Sequence, residues 1–222
     1  PNPDFYYKYG GGPVLDMGPY YFTALVNLLG PAKSVYSQSR TVYKKRVIGS
    51  GNRKNEEVEV DIPTTLVSQI EFESGALIDS FFSFDTWKHN KNHIELYGDK
   101  GSINIPDPNT FGGSIQICTE KNGKWKTIPT NEKNLGKINI NRSEKTNENP
   151  GIANYRGIGV SEMVDSIKHK KLNRCSGQLS LHVLDILDTI IKSAKEEKKL
   201  DLRSSVNEVK YFSEEENIKL LI

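Results

Sequence analysis

Apolar residues recur at Leu15, Tyr21 or Phe22, Leu25, Val26, Leu28 and Leu29, the spacing of a helix with one buried face. Pro13 suits a first helical turn and Gly30-Pro31 an end, so a helix is predicted over 14–29. Pro19 removes one intrahelical hydrogen bond, which places the regular part from about Asp16 onward. Ahead of the helix, Phe5, Tyr6, Tyr7 and Tyr9 run into Gly10, Gly11 and Gly12, an aromatic loop with a permissive backbone. Segments rich in β-branched and aromatic residues follow at 34–47, 64–73, 76–86, 93–97, 102–105, 114–120 and 124–128 and read as strands. Glu73-Ser74-Gly75 and Lys121-Asn122-Gly123 carry hairpin chemistry, so the strands are predicted to form an antiparallel meander. Leu66, Ser68, Ile70 and Phe72 alternate with Val67, Gln69 and Glu71, giving one apolar face for helices to cover. Residues 130–149 are mostly polar and predict a long surface loop. Two closing helices are predicted, over 159–170 with Met163, Val164 and Ile167 on one face, and over 178–197 with Leu181, Leu184, Leu187, Ile190 and Ile191. A short strand and an acidic helix are expected after Lys199. Strands in one block between helices argue for an α+β fold, an open, predominantly antiparallel sheet with helices on one face. The triple glycine follows no strand and lacks GxGxxG spacing, so it is no dinucleotide fingerprint.

Composition narrows the classes of function. The chain has 222 residues, 36% hydrophobic and 26% charged, which is globular rather than disordered. Its net charge of +2 lacks the basic footprint of nucleic-acid or anionic-membrane binding, so neither partner is expected. No apolar run reaches the roughly 20 residues that span a bilayer. Cys118 and Cys175 lie far apart without CxxC spacing, which suggests neither a disulfide framework nor a zinc site and fits a reducing cytoplasm. The chain opens with Pro-Asn-Pro and no signal-like segment follows, so we expect a piece of a longer protein.

Chemistry concentrates at the start of the first helix. Asp16 and Tyr20 are four apart, which puts both side chains on one face with Cβ atoms about 5–6 Å apart. They can converge on one ligand; alternatively Asp16 caps the helix and Tyr20 packs in the core. A phenol passes protons at neutral pH only where a nearby cation favours its anion, and Lys8 is the one local lysine. His89 and His93 have a helical ligand spacing but sit between strand signals without a third ligand, so no metal is expected. His182 lies in an apolar helix and reads as a hydrogen-bonded core histidine, and the lysines near 168–171 and 195–199 as solvated helix ends.

The string from Gly10-Gly11-Gly12 through Asp16-Met17-Gly18-Pro19-Tyr20 to Gly30-Pro31 resembles the Gfo/Idh/MocA oxidoreductases at the start of their C-terminal domain, where GGG-x-x-x-D-x-G-x-(H or Y) lies on the substrate-side helix. Ile94-Glu95-Leu96-Tyr97-Gly98-Asp99-Lys100-Gly101-Ser102, Asp107-Pro108-Asn109, Arg156-Gly157-Ile158-Gly159 and Arg174-Cys175-Ser176-Gly177 with Leu181-His182-Val183-Leu184 look like further family landmarks in order, so the resemblance covers nearly the whole chain. It implies a sheet akin to the C-terminal domains of dihydrodipicolinate reductase and glyceraldehyde-3-phosphate dehydrogenase. It also implies that 1–222 is a single substrate-binding and oligomerisation domain, with a Rossmann domain that binds NAD or NADP and carries a catalytic lysine lying outside this chain. Asp16 and Tyr20 then fall on the catalytic positions, Tyr20 as proton relay, and the tyrosine sets the chain apart from the histidine-bearing branch. Lys8, Gly12, Trp87, Lys88, His89, Tyr155 and Arg156 fall on positions near substrate, although Trp87 also reads as a packed sheet residue and Arg156 as an ion-pair partner. The resemblance implies a sugar, polyol or related hydroxy substrate, and a homo-oligomer through the open sheet face; a non-catalytic ligand-binding or assembly module, or a carbohydrate-binding domain with an exposed aromatic platform, are the alternatives.

Overall fold

The computed structural model describes residues 3–133, 135–139 and 152–207, with positions 211, 213 and 215. Most of the loop expected at 130–149, and most of the acidic helix expected in the tail, lie outside the described residues. In chain order the elements are α1 (Asp4–Tyr7), α2 (Pro13–Leu29), β1 (Ala32–Arg40), β2 (Lys45–Val47), β3 (Glu57–Glu59), β4 (Thr65–Phe72), β5 (Leu77–Ser83), β6 (Ile94–Gly98), β7 (Gly101–Ile105), β8 (Ile115–Cys118), β9 (Lys126–Ile128), β10 (Ile138–Asn139), β11 (Ile152–Ala153), α3 (Ile158–His169), α4 (Gly177–Glu196) and β12 (Leu200–Asp201). They fall into two compact units, Pro1–Lys88 with Ser176–Val209, and His89–Cys175 with Lys210–Ile222.

The first unit is a four-stranded sheet in the order β12-β1-β4-β5, antiparallel throughout, with α2 and α4 on one face. Alternation along β4 drives this layering: Leu66, Ile70 and Phe72 are buried under the helices while Val67 and Gln69 face outward. Val14, Phe22, Leu25 and Val26 of α2 meet Val183, Ile186, Leu187 and Ile190 of α4 in the same core. Each such side chain contributes about 1.5–3 kcal/mol through removal from water. The expected hairpin forms at Glu73-Ser74-Gly75, where Gly75 takes φ 85° and Phe72 donates to the Ala76 carbonyl at 2.9 Å. Polar pins cross the core: Ser37 N–H donates to Ser193 Oγ at 2.9 Å, and the Ser37 and Ser68 hydroxyls meet at 2.9 Å.

Three sequence expectations change in this unit. The first helix is regular from Pro13 rather than from Asp16, because Pro13 at the first turn and Gly12 at the cap start it cleanly, and Pro19 is accommodated inside. The strand expected over 34–47 breaks after Arg40; its second half becomes β2 and pairs with β3, whose single apolar residue, buried Val58, left no alternation to read. On α4 the buried stripe runs through Leu179, Val183, Ile186, Leu187 and Ile190, and Leu181 and Leu184 are exposed.

The second unit holds another antiparallel sheet, β6-β7-β8-β9, together with the short parallel pair β10–β11 and α3. The strands expected as one meander therefore divide between the two four-stranded sheets and the β2–β3 hairpin. At Lys121-Asn122-Gly123 it is Asn122 that takes the positive φ, 59°. Helix α3 forms over the expected stretch, but Met163, Val164 and Ile167 are exposed, and the buried residues are Glu162 and Ser166. The Glu162 carboxylate draws that face inward: it accepts from Ser166 Oγ and from the Arg174 N–H, both at 3.2 Å, and from the Asn173 amide.

Candidate active site

The glycine run folds α1 back against the start of α2. Gly11 N–H donates to the Lys8 carbonyl and Gly12 N–H to the Tyr6 carbonyl, both at 2.9 Å. A Cβ on Gly11 would lie 2.4 Å from the Phe5 carbonyl oxygen, so only glycine allows this approach. Gly12 takes φ 101° as the helix cap, a conformation that disfavours any side chain, and receives the Asp16 N–H at 3.0 Å. Glycine here is backbone engineering for the helix start rather than phosphate binding.

Asp16 and Tyr20 then project from adjacent turns. Gly12 caps α2 without a side-chain bond, so Asp16 is not the cap, and Tyr20 is 48% exposed, so it is not core. Asp16 is half-buried, and that burial pushes its carboxyl above the ordinary aspartate range. Between the two, Pro19 lacks the N–H that the Leu15 carbonyl would otherwise meet. Gly18 faces the opposite way, where Leu187 of α4 fills the space of its missing side chain.

Other sites singled out from the sequence are scattered. Lys8 is held by Asp61 in an exposed ion pair at 2.8 Å. Tyr6 and Tyr7 contact Phe84 edge-on, with ring centroids 6.4 and 5.9 Å apart. Trp87 is 96% exposed, which overturns its reading as a packed sheet residue, and Lys88 beside it is exposed too. His89, Tyr155 and Arg156 belong to the second unit. There His89 and Arg156 are exposed, whereas Tyr155 is buried against Phe111, ring centroids 4.8 Å apart, and its hydroxyl accepts from Lys137 N–H at 3.4 Å. Among the described residues no group of three His, Cys, Asp or Glu side chains gathers to hold a metal, and no helix is long and apolar enough to cross a membrane.

Sequence reasoning missed Arg46 and Asp85. Arg46 pairs with Asp85 and lies over the rings of Tyr43 and Tyr7, 4.7 and 5.9 Å from their centroids. Asp85 also accepts from Thr64 and Thr65 hydroxyls at 2.6 and 2.7 Å. This knot ties the β2–β3 hairpin to the end of β5, beside the aromatic residues of α1. Its partners are remote in the chain, and no spacing rule links them.

An antiparallel sheet backed by two helices, with a glycine-capped helix carrying Asp16 and Tyr20, forms an α+β fold that solved oxidoreductase structures share. Residues 1–104 match the GFO/IDH/MocA C-terminal domain. Among solved structures, levoglucosan dehydrogenase in complex with NADH and levoglucosan shares the fold at 17% identity and a TM-score of 0.66, over 90% of this chain and 53% of that one. An NAD binding oxidoreductase from Klebsiella pneumoniae matches at 18% identity and a TM-score of 0.63, over 88% and 52%. Aldose-aldose oxidoreductase from Caulobacter crescentus, complexed with glycerol, matches at 17% and 0.58, over 87% and 48%. The chain thus spans about half the length of the solved structures that it resembles. No curated protein matches it.

Proposed function

We propose that the chain is the substrate-binding part of an oxidoreductase that transfers hydride between NAD or NADP and a sugar, polyol or related hydroxy compound. The observation that carries this reading is the pair Asp16 and Tyr20 on adjacent turns of α2, the carboxyl raised by burial and the phenol open to solvent. Among the described residues the triple glycine joins two helices rather than a strand and a helix, which supports a reading in which a separate half holds the cofactor. The nicotinamide supplies or takes up the hydride. Tyr20 holds the proton at the substrate oxygen, and Asp16 orients that hydroxyl or the phenol. A lysine from the cofactor-binding half, as the family resemblance implies, supplies the cation that favours the phenolate. Without that half the chain on its own is expected to be inactive.

The test is oxidation of a sugar and polyol panel by the protein containing both halves, compared with its Tyr20→Phe variant. The phenylalanine keeps the ring and removes the hydroxyl, so kcat is expected to fall by about 10²-fold or more. Equal rates would remove Tyr20 from the chemistry. A second reading, a non-catalytic sugar-binding module, draws support from Tyr9 at 100% and Trp87 at 96% exposure, since open aromatic faces suit sugar rings. Sugar binding without turnover in either protein would favour it.

A further inference from the structure

The glycine turn that starts α2 hangs on α1, a single turn that buries none of its four residues and has no side-chain cap. A helix this short does not stand by itself in water, so contacts from elsewhere in the fold set its position. Two of these, Arg53 with Asp4 and Lys8 with Asp61, both at 2.8 Å, are ion pairs open to solvent and weigh little. The others converge on half-buried Tyr7. Its carbonyl accepts the Asp61 N–H at 2.9 Å. Its ring meets the Phe84 ring edge-on at 5.9 Å and faces the Arg46 guanidinium, 5.9 Å from the centroid. Arg46 is fixed in turn by Asp85, whose side chain is only 8% exposed and is itself anchored by the Thr64 and Thr65 hydroxyls.

Residue 7 is where the turn is held. The carbonyls on either side of it, of Tyr6 and Lys8, receive the Gly12 and Gly11 N–H groups at 2.9 Å, and the Gly12 carbonyl receives the Asp16 N–H at 3.0 Å. Between α1 and the turn the packing is backbone on backbone, with no room for a Cβ at Gly11, so side chains do not absorb a shift of α1. We propose that Arg46 and Tyr7 are positioning residues for the candidate active site: guanidinium and ring hold residue 7, residue 7 holds the glycine turn, and the turn sets where Asp16 and Tyr20 stand. Neither is assigned contact with the reacting atoms. The inference rests on the reading of Asp16 and Tyr20 given above. A displacement of about 1 Å at a remote support can cost ~10²-fold in rate.

Amide hydrogen exchange in the full chain, and steady-state rates in the protein containing both halves, test it in Arg46→Met, Tyr7→Leu and Tyr7→Phe. Exchange at Gly11 and Gly12 should accelerate by about tenfold or more in Arg46→Met and Tyr7→Leu, beyond any change at Ile70, which is buried in the sheet and reports global opening. In the same two variants kcat should fall by about tenfold or more with KM unchanged. Tyr7→Phe keeps the ring face that the guanidinium meets and should restore both readouts. If Arg46→Met does not fold, because Asp85 is left buried without its cation, Tyr7→Leu decides the matter. Glycine exchange no faster than that of Ile70 in the folded variants overturns the proposal, and so does faster exchange with kcat unchanged. Tyr7→Phe as slow as Tyr7→Leu also overturns it, since the hydroxyl and not the ring would then matter. If Tyr20→Phe keeps the wild-type rate, the proton-relay reading falls on its own, and exchange at Gly11 and Gly12 still decides whether residue 7 holds the turn.

Discussion

His182 is a buried imidazole with both nitrogens committed. Nε2 accepts the Ala32 N–H at 3.0 Å, so Nδ1 carries the proton and faces Ser204 Oγ at 3.0 Å, which in turn donates to Asp185 at 2.8 Å. Burial lowers its pKa, and contact with Ser204 and the charges of Asp185 and Glu73 only partly oppose this. The folded protein thus favours the neutral ring. Stability from this source is fully present above the unfolded value of about 6.5 and is lost as pH falls through the lowered folded value. Asp185 acts in a separate, more acid window: burial alone would raise it, but hydrogen bonds from Ser204 and Arg203 outweigh burial and hold it below the ordinary range. Denaturant unfolding between pH 7 and 5 should therefore show a decline that is flatter in His182→Gln, whose side chain does not titrate. The residue-level readings that succeeded were local. His182 sits within the helical period that marked it as core, and Asp16 and Tyr20 show their shared face by spacing alone. Arg46 and Asp85 gave no such signal, because each depends on partners brought close only by the folded sheets.

Helices were the most legible elements and short strands the least. A helix of the length of α4 displays several turns of its period, whereas β3 offers one apolar residue between two glutamates. Even on helices, period located the element better than the buried stripe. On α3 a carboxylate with several donors outcompeted the apolar residues for the interior, and on α4 the core lies rotated from the expected leucines. The start of α4 depends on Ser176, whose hydroxyl accepts the Leu179 N–H at 3.2 Å. Ser176→Ala should lower stability by about 0.5–2 kcal/mol, read from denaturant midpoints with unchanged slope. Restoration by Ser176→Asp would confirm that the loss comes from the cap.

On the scale of the molecule, α2 and α4 cover one side of the first unit's sheet, and among the described residues of that unit no helix covers the other. Tyr36, Val67, Leu77 and Phe81 all remain exposed, with Leu77 at 81%. Apolar faces of this kind are uncommon on a monomer, and a two-fold partner presenting the same face would cover them. We propose pairing of two chains through this face, as the family resemblance implies; light scattering at micromolar concentration should give a dimer, and Val67→Lys with Leu77→Lys a folded monomer. A wild-type monomer would refute it. The division into two units was not legible in the sequence. Each strand announces itself by composition, but nothing in a run of strands says where one sheet stops and the next begins.

The contact between Gly18 and Leu187 gives a practical handle on the candidate active site. A Cβ on Gly18 would stand 2.4 Å from Leu187 Cδ2, so the backbone that carries Asp16 and Tyr20 rests directly on a core leucine of α4. Residue 187 therefore works as a shim: its bulk sets how far the two candidate groups stand from the sheet. A protein engineer could adjust their reach from behind, without altering either one.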